Sequence, residues 1–300
     1  MSQKVRRRLR ALRRYQRMGL EAKIRYAERL IEAALLLTDR PIVCWSGGKD
    51  STVLLHLTRK LCPDIAVMFN DSGVEFPETI DFVHRLADAW RLNLHVTSPP
   101  PGTFWRCVEE YGWPIGGKGK EGIRKRAAQA GVRTSDNCAY YCKRKPAEKL
   151  YKELGIDCVL TGTLAGESKR RRFLWVDFGD LYYQTRRQLW TVHPLAIWLD
   201  EDIWAYHRRY ALPHNPLYDM GHARVGCWPC LMDWGYPDSH LSRLRRSHPK
   251  LWRHLVVDRG LGRELLKLRL AFTCGQADLF SATWTIEELV EIYPGFFDTI

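Results

Sequence analysis

A six-residue segment at positions 46–51, SGGKDS, combines residue types and spacing suited to phosphate binding. It follows the apolar run 41–45 and precedes the helix-like run 52–61, so the chain reads strand, glycine-rich loop, helix. Paired glycines permit a tight turn that aims N–H groups inward, and the helix N-terminus and a lysine add positive charge. The candidates for nucleotide binding are Ser46, Gly47, Gly48, Lys49, Asp50 and Ser51, and Lys49 and Asp50 are also candidates for catalysis.

The elements that must position this loop follow from the apolar pattern. Runs at 64–70, 93–98 and 157–161 predict further strands, and the stretches 77–91 and 143–154 predict helices. Strands that alternate with helices indicate an α/β fold with a mainly parallel, doubly wound sheet. We expect a basic helical arm at 1–37, a nucleotide-binding α/β domain at 38–190 and a smaller, mostly helical C-terminal subdomain at 191–300.

Composition and charge narrow the class of protein. The chain has 300 residues, a net charge of +13 and 45% hydrophobic residues. No apolar run approaches the ~18 residues of a membrane span, and no apolar segment of a secretory signal follows the basic start. We therefore expect a soluble cytoplasmic protein that does not bind membranes.

Residues 1–30 hold eleven Lys and Arg against two acidic residues. Such a segment can bind DNA or RNA through the phosphates, with Tyr15 and Tyr26 stacking on bases. It can equally be an amphipathic helix that packs its apolar side against the body or a partner subunit. Both interpretations stay open, and the apolar residues concerned are Leu9, Leu12, Leu20, Ile24, Ala27 and Ile31.

A second motif, NDSGVEFPET at 70–79, follows the second predicted strand. With the glycine-rich loop it resembles the phosphoadenosine phosphosulfate (PAPS) reductase branch of the PP-loop ATP pyrophosphatase superfamily, which has an adenine nucleotide alpha hydrolase-like fold. The resemblance runs from about residue 42 to residue 230. It implies ATP, PAPS or adenylyl sulfate (APS) as nucleotide, with Asp71, Gly73 and Glu75 at its site. Asp71 or Glu75 would bind Mg²⁺ or a ribose hydroxyl, although a turn with solvated acids is the plainer alternative.

A third motif, GTLAGESKRR at 162–171, resembles the family pattern Gly-x-Arg-x-x-Glu-Ser-x-x-Arg. The resemblance places Gly162 at the nucleotide and gives Glu167 and Arg171 catalytic roles, since an arginine beside a developing pyrophosphate stabilises its charge. Leu164 stands where the family has arginine, so one anion contact is missing. A solvated basic run is the alternative.

Eight of the nine cysteines fall into two groups. Cys138 and Cys142 lie about one helical turn apart, and Cys227 and Cys230 flank a tight Trp-Pro turn, so the four predict a metal centre. The spacing suits zinc as well as a 4Fe-4S cluster. A resemblance to the iron-sulfur adenylyl sulfate reductases and DNA phosphorothioation sulfurtransferases implies the 4Fe-4S cluster, although those reductases have adjacent cysteines at the first site. Inert buried thiols are the expectation for Cys44, Cys62, Cys107 and Cys158.

These motifs predict a PP-loop ATP pyrophosphatase or adenylyltransferase that activates an acceptor, such as a nucleic acid, for sulfur transfer with an iron-sulfur cluster. The alternative is a PAPS or APS reductase that makes sulfite. Its nucleophile would be Cys274, which lacks the flanking Glu and His of the reductases. A second alternative is a non-catalytic nucleic-acid-binding protein with a structural nucleotide. A sulfur donor such as a cysteine desulfurase, and a homo-oligomeric state, complete the expectation.

Overall fold

The computed structural model describes residues 2–116, 120–233 and 238–274, with side chains apart from those of 120–121 and 269–274. Within these residues the strands are β1 (Pro41–Cys44), β2 (Ala66–Asn70), β3 (Asn93–Thr97), β4 (Cys158–Thr161), β5 (Leu181–Gln184) and β6 (Leu189–Val192). The helices are α1 (Gln3–Gln16), α2 (Leu20–Leu37), α3 (Lys49–Leu61), α4 (Pro77–Trp90), α5 (Thr103–Tyr111), α6 (Lys120–Gln129), α7 (Lys145–Leu154), α8 (Lys169–Phe178), α9 (Asp200–Arg209), α10 (His240–Ser247), α11 (Pro249–Arg253) and α12 (Leu261–Cys274).

The six strands form one sheet in the order β3-β2-β1-β4-β6-β5. Neighbouring strands are parallel except β5, which pairs antiparallel with β6. The predicted mainly parallel α/β sheet is therefore confirmed. Since the chain runs from β1 to β2 and β3 on one side and continues with β4 on the other, the strand order reverses at β1. Open α/β sheets bind their ligands at the carboxyl ends of the strands at such a reversal.

Helices cover both faces of this sheet. Val43, Leu160 and Val192 occupy matching positions on three strands and belong to a core that also contains residues of α2, α3 and α4. Ile42 and Val159 point to the other face and pack with residues of α7. Successive side chains of a strand alternate between faces, so one run of apolar residues fills both layers. The doubly wound arrangement follows.

The basic arm consists of two helices whose apolar sides are packed on the core. Leu12, Ile24, Ala27 and Ile31 are buried, and Leu9 and Leu20 pack partly buried against the same cluster. The packing interpretation of these residues is confirmed. An ion pair strengthens the attachment, since the buried Lys23 ammonium lies 2.5 Å from Asp202 on α9.

The chain divides into two compact units. The first comprises residues 1–70, 77–97 and 147–218, and contains the sheet and the arm. The second comprises residues 71–76, 98–146 and 219–300. This division differs from the expected boundary at residue 190, because β6 pairs with β4 and extends the sheet past that position. None of the helices in the described part of the chain combines the length and apolar character that crossing a membrane requires.

Candidate functional site

In the first unit, the glycine-rich loop leaves the carboxyl end of β1 and enters α3 at Lys49. Gly47 has a φ of +71°, a conformation that residues with side chains rarely adopt. A Cβ at Gly47 would also lie 3.0 Å from Cγ2 of Val83 on α4. The conformation and the tight space together require glycine at this position, and the N-terminus of α3 follows two residues later, as an anion site needs.

Gly162 follows β4, the strand next to β1, and its backbone lies directly against the start of α3. A Cβ built on Gly162 would be 2.8 Å from the nitrogen of Ser51 and 2.9 Å from the carbonyl carbon of Asp50. No side chain fits there without moving backbone atoms. The structure therefore brings two of the predicted motifs together at the point where the strand order reverses.

Lys49 is buried and held by two carboxylates. Its Nζ lies 3.0 Å from Oδ1 of Asp50 and 2.6 Å from Oδ1 of Asp200. Burial opposes the charge on the lysine, but the carboxylates of Asp50 and Asp200 outweigh it and raise the pKa of Lys49. The ammonium is therefore charged at neutral pH, and a phosphate group can replace a carboxylate as its partner.

Three residues that the sequence analysis did not assign support the loop from α9 and from the segment that follows it. The backbone N–H of Lys49 donates to the hydroxyl of Tyr218 at 2.9 Å, and the Lys49 carbonyl lies 3.0 Å from Nε2 of His207. Asn215 is fully buried and donates to Oγ1 of Thr79 at 3.1 Å. Such contacts fix the backbone of a loop that would otherwise be mobile.

Glu167 and Arg171 form an ion pair one helical turn apart at the start of α8. Ser168 caps this helix, because its hydroxyl accepts the N–H of Arg171 at 3.1 Å. Leu164, which departs from the family pattern, is buried in the main core. It therefore packs as a core residue, and its position contributes no anion contact.

A buried histidine, His193, follows β6 at the same edge of the sheet. Its Nδ1 lies 2.7 Å from the hydroxyl of Thr161, which in turn lies 3.0 Å from the hydroxyl of Thr163. Burial lowers the pKa of His193 to about 4, and the charge of Arg171 contributes to the shift. The sequence analysis missed this residue, and its position just after a strand of the sheet is the only signal that points to it.

In the second unit, the strand-end motif turns back on itself. Oδ1 of Asp71 accepts the N–H of Gly73 at 2.8 Å, and Gly73 has a φ of +77°. Glu75 has a buried side chain that accepts from the Ser72 hydroxyl at 2.7 Å and pairs with Nζ of Lys143 at 3.0 Å. The Sγ of Cys227 also lies 3.5 Å from Oε1 of Glu75. Since protein groups already surround the Glu75 carboxylate, Asp71 is the better candidate for an ion or a ribose.

Four cysteines, the predicted metal ligands, line one cavity of about 430 Å³ in this unit. A π-helical turn at Tyr140–Arg144 widens the backbone between the first two. A turn closes the second pair, with the N–H of Cys230 donating to the Cys227 carbonyl at 3.2 Å. Sγ of Cys227 also lies 3.3 Å from the Ser72 hydroxyl. The cavity cysteines are Cys138, Cys142, Cys227 and Cys230.

Burial raises the pKa of Cys138 and of Cys142 to about 12, and that of Cys227 to about 11. A fifth cysteine, Cys107, is buried as expected and contacts Cys142. Within residues 2–116, 120–233 and 238–274, no three His, Cys, Asp or Glu side chains are arranged to hold a metal ion as they stand. The four thiols of the two predicted pairs thus line one cavity.

The family model of the phosphoadenosine phosphosulfate reductase domain matches residues 40–232. That is well over half of the chain. The chain belongs to the PAPS reductase domain family. The match includes all three motifs and both cysteine pairs, and it confirms the family resemblance. Cys274 lies beyond the matched range, and its side chain lies outside the described residues.

Curated relatives include a phosphoadenosine 5'-phosphosulfate reductase of Xylella fastidiosa, 29% identical over 188 residues, or 63% of this chain and 71% of that protein. An uncharacterized protein of Methanocaldococcus jannaschii is 31% identical over 215 residues, covering 70% of this chain and 39% of that protein. A crystal structure of the Candida auris PAPS reductase in a phosphate complex aligns with 67% of this chain and 88% of its own, with a TM-score of 0.51 and 22% identity. That likeness supports the fold of the family.

The close approach of Gly162 to α3 yields a first prediction. Gly162→Ala should weaken ATP binding about tenfold and lower the melting temperature, because the new methyl group must displace the backbone of the phosphate loop. The matched control is Gly166→Ala, whose Cβ meets nothing closer than 3.8 Å. Calorimetric titration with ATP and thermal unfolding measure both effects. Equal ATP affinity for the two variants would show that the close approach does not govern the loop.

The burial of His193 yields a second prediction, on pH. The unfolded chain protonates this histidine near pH 6.5, whereas the folded protein resists protonation down to about pH 4. The unfolded state therefore binds more protons in this window, and the free energy of unfolding should fall by up to about 3 kcal/mol as pH falls through it. Above pH 6.5 His193 is neutral in both the folded and the unfolded state, so the free energy of unfolding no longer changes with pH because of this residue.

Urea unfolding at a series of pH values tests this. His193→Asn should lose stability less steeply between pH 6.5 and 4 than the wild type, since the substituted residue does not titrate. The exposed His84, changed to Asn, serves as the control and should leave the pH dependence unaltered. Parallel pH profiles for wild type and His193→Asn would contradict the assignment.

Proposed function

We propose that this chain is an enzyme that acts at the α-phosphate of ATP and activates an acceptor for sulfur transfer. The observation that carries the proposal is the contact of the strand-end motif with the cysteine centre. Ser72 and Glu75 belong to the nucleotide motif, and both lie within 3.5 Å of Sγ of Cys227. The motif that the family resemblance assigns to nucleotide binding thus contacts the cavity that the four cysteines line.

In the first step, an acceptor oxygen attacks the α-phosphorus of ATP. A new oxygen–phosphorus bond forms as the bond to the β-phosphate oxygen breaks, and pyrophosphate leaves with the electron pair. Lys49 and the N-terminus of α3 stabilise the charge on the departing phosphates. Arg171 is the further candidate for this role. Asp71 is the candidate ligand for a Mg²⁺ ion. The outer sulfur of a donor persulfide then bonds to the acceptor carbon or phosphorus as the bond of that atom to the AMP oxygen breaks, and AMP leaves with the electron pair. A thiol reductant then cleaves the remaining S–S bond and releases the donor.

The four cysteines would hold a 4Fe-4S cluster, with a zinc ion as the alternative, since four thiolates are a ligand set for both. The resemblance of the two cysteine pairs to those of iron-sulfur members of the family favours the cluster. Cys138, Cys142, Cys227 and Cys230 would be the ligands. When bound, the cluster would supply electron transfer at the sulfur centre. Donors near a cluster tune its properties, so Lys143 and Ser72 would do so here.

The partners of this reaction are part of the proposal. A persulfide-carrying protein such as a cysteine desulfurase would supply the sulfur, and the enzyme would act as a homo-oligomer. Free thiols persist in the reducing cytoplasm, which is where we place the protein.

Reduction of PAPS or APS is the second candidate function, favoured by the names of the curated relatives. In that reaction a cysteine thiolate attacks the sulfate sulfur and the nucleotide leaves. The candidate nucleophile would be Cys274, whose sequence neighbours Thr273 and Gly275 provide no cation to lower its pKa.

The third candidate is a nucleic-acid-binding protein with a structural nucleotide. Retention of Lys49 and of the Glu167–Arg171 pair favours a catalytic protein.

The metal proposal yields a third prediction. Protein purified without oxygen should be brown and contain about four iron and four sulfide per chain. Cys227→Ser should lose most of this iron, whereas Cys62→Ser, which changes a cysteine outside the cavity, should keep it. Iron, sulfide and zinc analysis measures the outcome. A colourless protein with one zinc per chain would replace the cluster with a zinc site.

The reaction itself yields a fourth prediction. The reconstituted enzyme should release pyrophosphate from ATP in the presence of acceptor and sulfur donor, and Lys49→Ala should reduce the rate at least about a hundredfold, because a charged group at the leaving phosphate is lost. Lys149→Ala, an exposed lysine on α7, is the control. Release of sulfite from PAPS with a thiol reductant, without turnover of ATP, would establish the reductase instead.

A further inference from the structure

One face of α1, extended by its C-cap residue, carries six arginines that the proposed reaction does not use. Their spacing follows the helix repeat: four of them stand at i, i+4, i+7 and i+11, which places them along one line, and the other two flank it. The line extends over about 16 Å. All six are exposed. The line residues are Arg6, Arg10, Arg13 and Arg17, and the flanking residues are Arg7 and Arg14.

The rest of α1 is fixed, so the arginine face has a defined direction. Leu12 is buried in the main core, and Val5 and Leu9 pack against it. Arg8, on the same side as these residues, donates to the carbonyl oxygens of Val176 at 2.5 Å and Asp177 at 2.9 Å, near the end of α8. The helix is thus anchored by its apolar side, and the six arginines project away from the core.

No acidic residue lies in α1, and within the described residues no carboxylate pairs with the line arginines. Other arginines on the surface do have such partners: Arg209 pairs with Glu21, and Arg246 pairs with Asp238. Like charges at i, i+4 repel each other and cost a helix about 0.2–0.5 kcal/mol per pair. The face is therefore a rigid, uncompensated row of positive charge, and a row of anions would relieve the repulsion.

We propose that this arginine face binds the sugar-phosphate backbone of a nucleic acid without regard to base sequence. Side chains at i, i+3 and i+4 are about 5–6 Å apart, so the row offers regularly spaced cations over a length that only a polyanion matches. The guanidinium group binds phosphate oxygens in pairs. A lipid surface is the poorer fit, because membrane-binding helices insert an apolar face and the core already occupies that of α1.

This inference deepens the proposed function, since a nucleic acid bound at α1 would be the acceptor, but the binding itself does not depend on the reaction. The test is fluorescence anisotropy with the full chain and labelled duplex DNA, single-stranded DNA and RNA of equal length, from 50 to about 200 mM NaCl. The line variant carries Arg6→Gln, Arg10→Gln, Arg13→Gln and Arg17→Gln. The control variant loses the same charge elsewhere, through Arg85→Gln, Arg186→Gln, Arg208→Gln and Arg253→Gln.

The wild type should bind at least one of the three nucleic acids, and affinity should fall steeply with salt. Each lost phosphate contact lowers the magnitude of the slope of log K against log salt by about 0.9. The line variant, which lacks four arginines, should therefore lose up to about 3.6 from the slope and bind at least about tenfold more weakly. The control variant should stay within about twofold of the wild type at the lowest salt. Among duplex DNA, single-stranded DNA and RNA, the probe for which the affinities of the line variant and the control variant differ most identifies the class of nucleic acid that the face binds.

Three outcomes would overturn the inference: no binding by the wild type, equal loss in both variants, or equal competition by polyglutamate or phosphatidylserine vesicles, which would indicate an acidic protein or a membrane as partner. Circular dichroism and ATP titration confirm that the line variant is folded. Lys49→Ala separates the two proposals, because it should abolish pyrophosphate release and leave nucleic acid binding intact. If no pyrophosphate is released, the nucleic acid binding result is unaffected. If no nucleic acid binds, the test of pyrophosphate release is unaffected.

Discussion

The contact between the Gly162 backbone and the first turn of α3 is the constraint on which the candidate site depends. It exists because β1 and β4 are neighbours in the sheet and both end at the edge where the strand order reverses. The phosphate loop leaves one strand, and Gly162 leaves the other. Without a side chain at Gly162, the two backbones can lie in direct contact. This contact fixes the position of the first turn of α3, which carries Lys49, relative to β4.

Residues distant in sequence stabilise the loop through buried hydrogen bonds. Asn215, His207 and Tyr218 contact the backbone or the neighbours of the phosphate loop from a segment some 160 residues later. A buried polar group that loses its partner costs about 1–3 kcal/mol, so these contacts are strongly coupled to the loop conformation. The shape of the loop therefore depends on the completed first unit as well as on its own glycines.

The sequence predicts the local elements well where the apolar pattern and a glycine-rich turn agree. The expected strands at 41–45 and 93–98 and the helix at 77–91 match β1, β3 and α4 within one or two residues. The compact units do not divide at residue 190, and this difference has a physical reason. Short strands such as β5 and β6 have too few residues for a clear alternation. The pairing of β6 with β4, and of β5 with β6, depends on contacts that no local pattern encodes.

Side-chain environments are the part that the sequence predicts least. In the sequence, Glu75 is one of several acidic residues near the second strand. In the structure its carboxylate is buried and pairs with Lys143, 68 positions later. His193 carries no motif, and only the assembled sheet places it beside Thr161. For Leu164 the sequence already shows that a leucine replaces the arginine of the family pattern. The structure adds that this leucine is buried in the core. Sequence patterns predict glycine-rich loops that can bind phosphate. Contacts between charged or polar side chains that are distant in sequence become visible only in the folded structure.

The Lys23–Asp202 pair has a consequence for how the chain attains its fold. Asp202 accepts the N–H of Leu199 at 2.7 Å at the start of α9, and the same carboxylate oxygen receives the ammonium of α2. Truncation before residue 38 would strip this carboxylate of its counter-ion and uncover the surface that Ile24 and Ile31 protect from water. The arm is thus no detachable appendage. It must assemble cooperatively with the sheet, and a shortened chain would aggregate before it revealed anything about the role of its arginines.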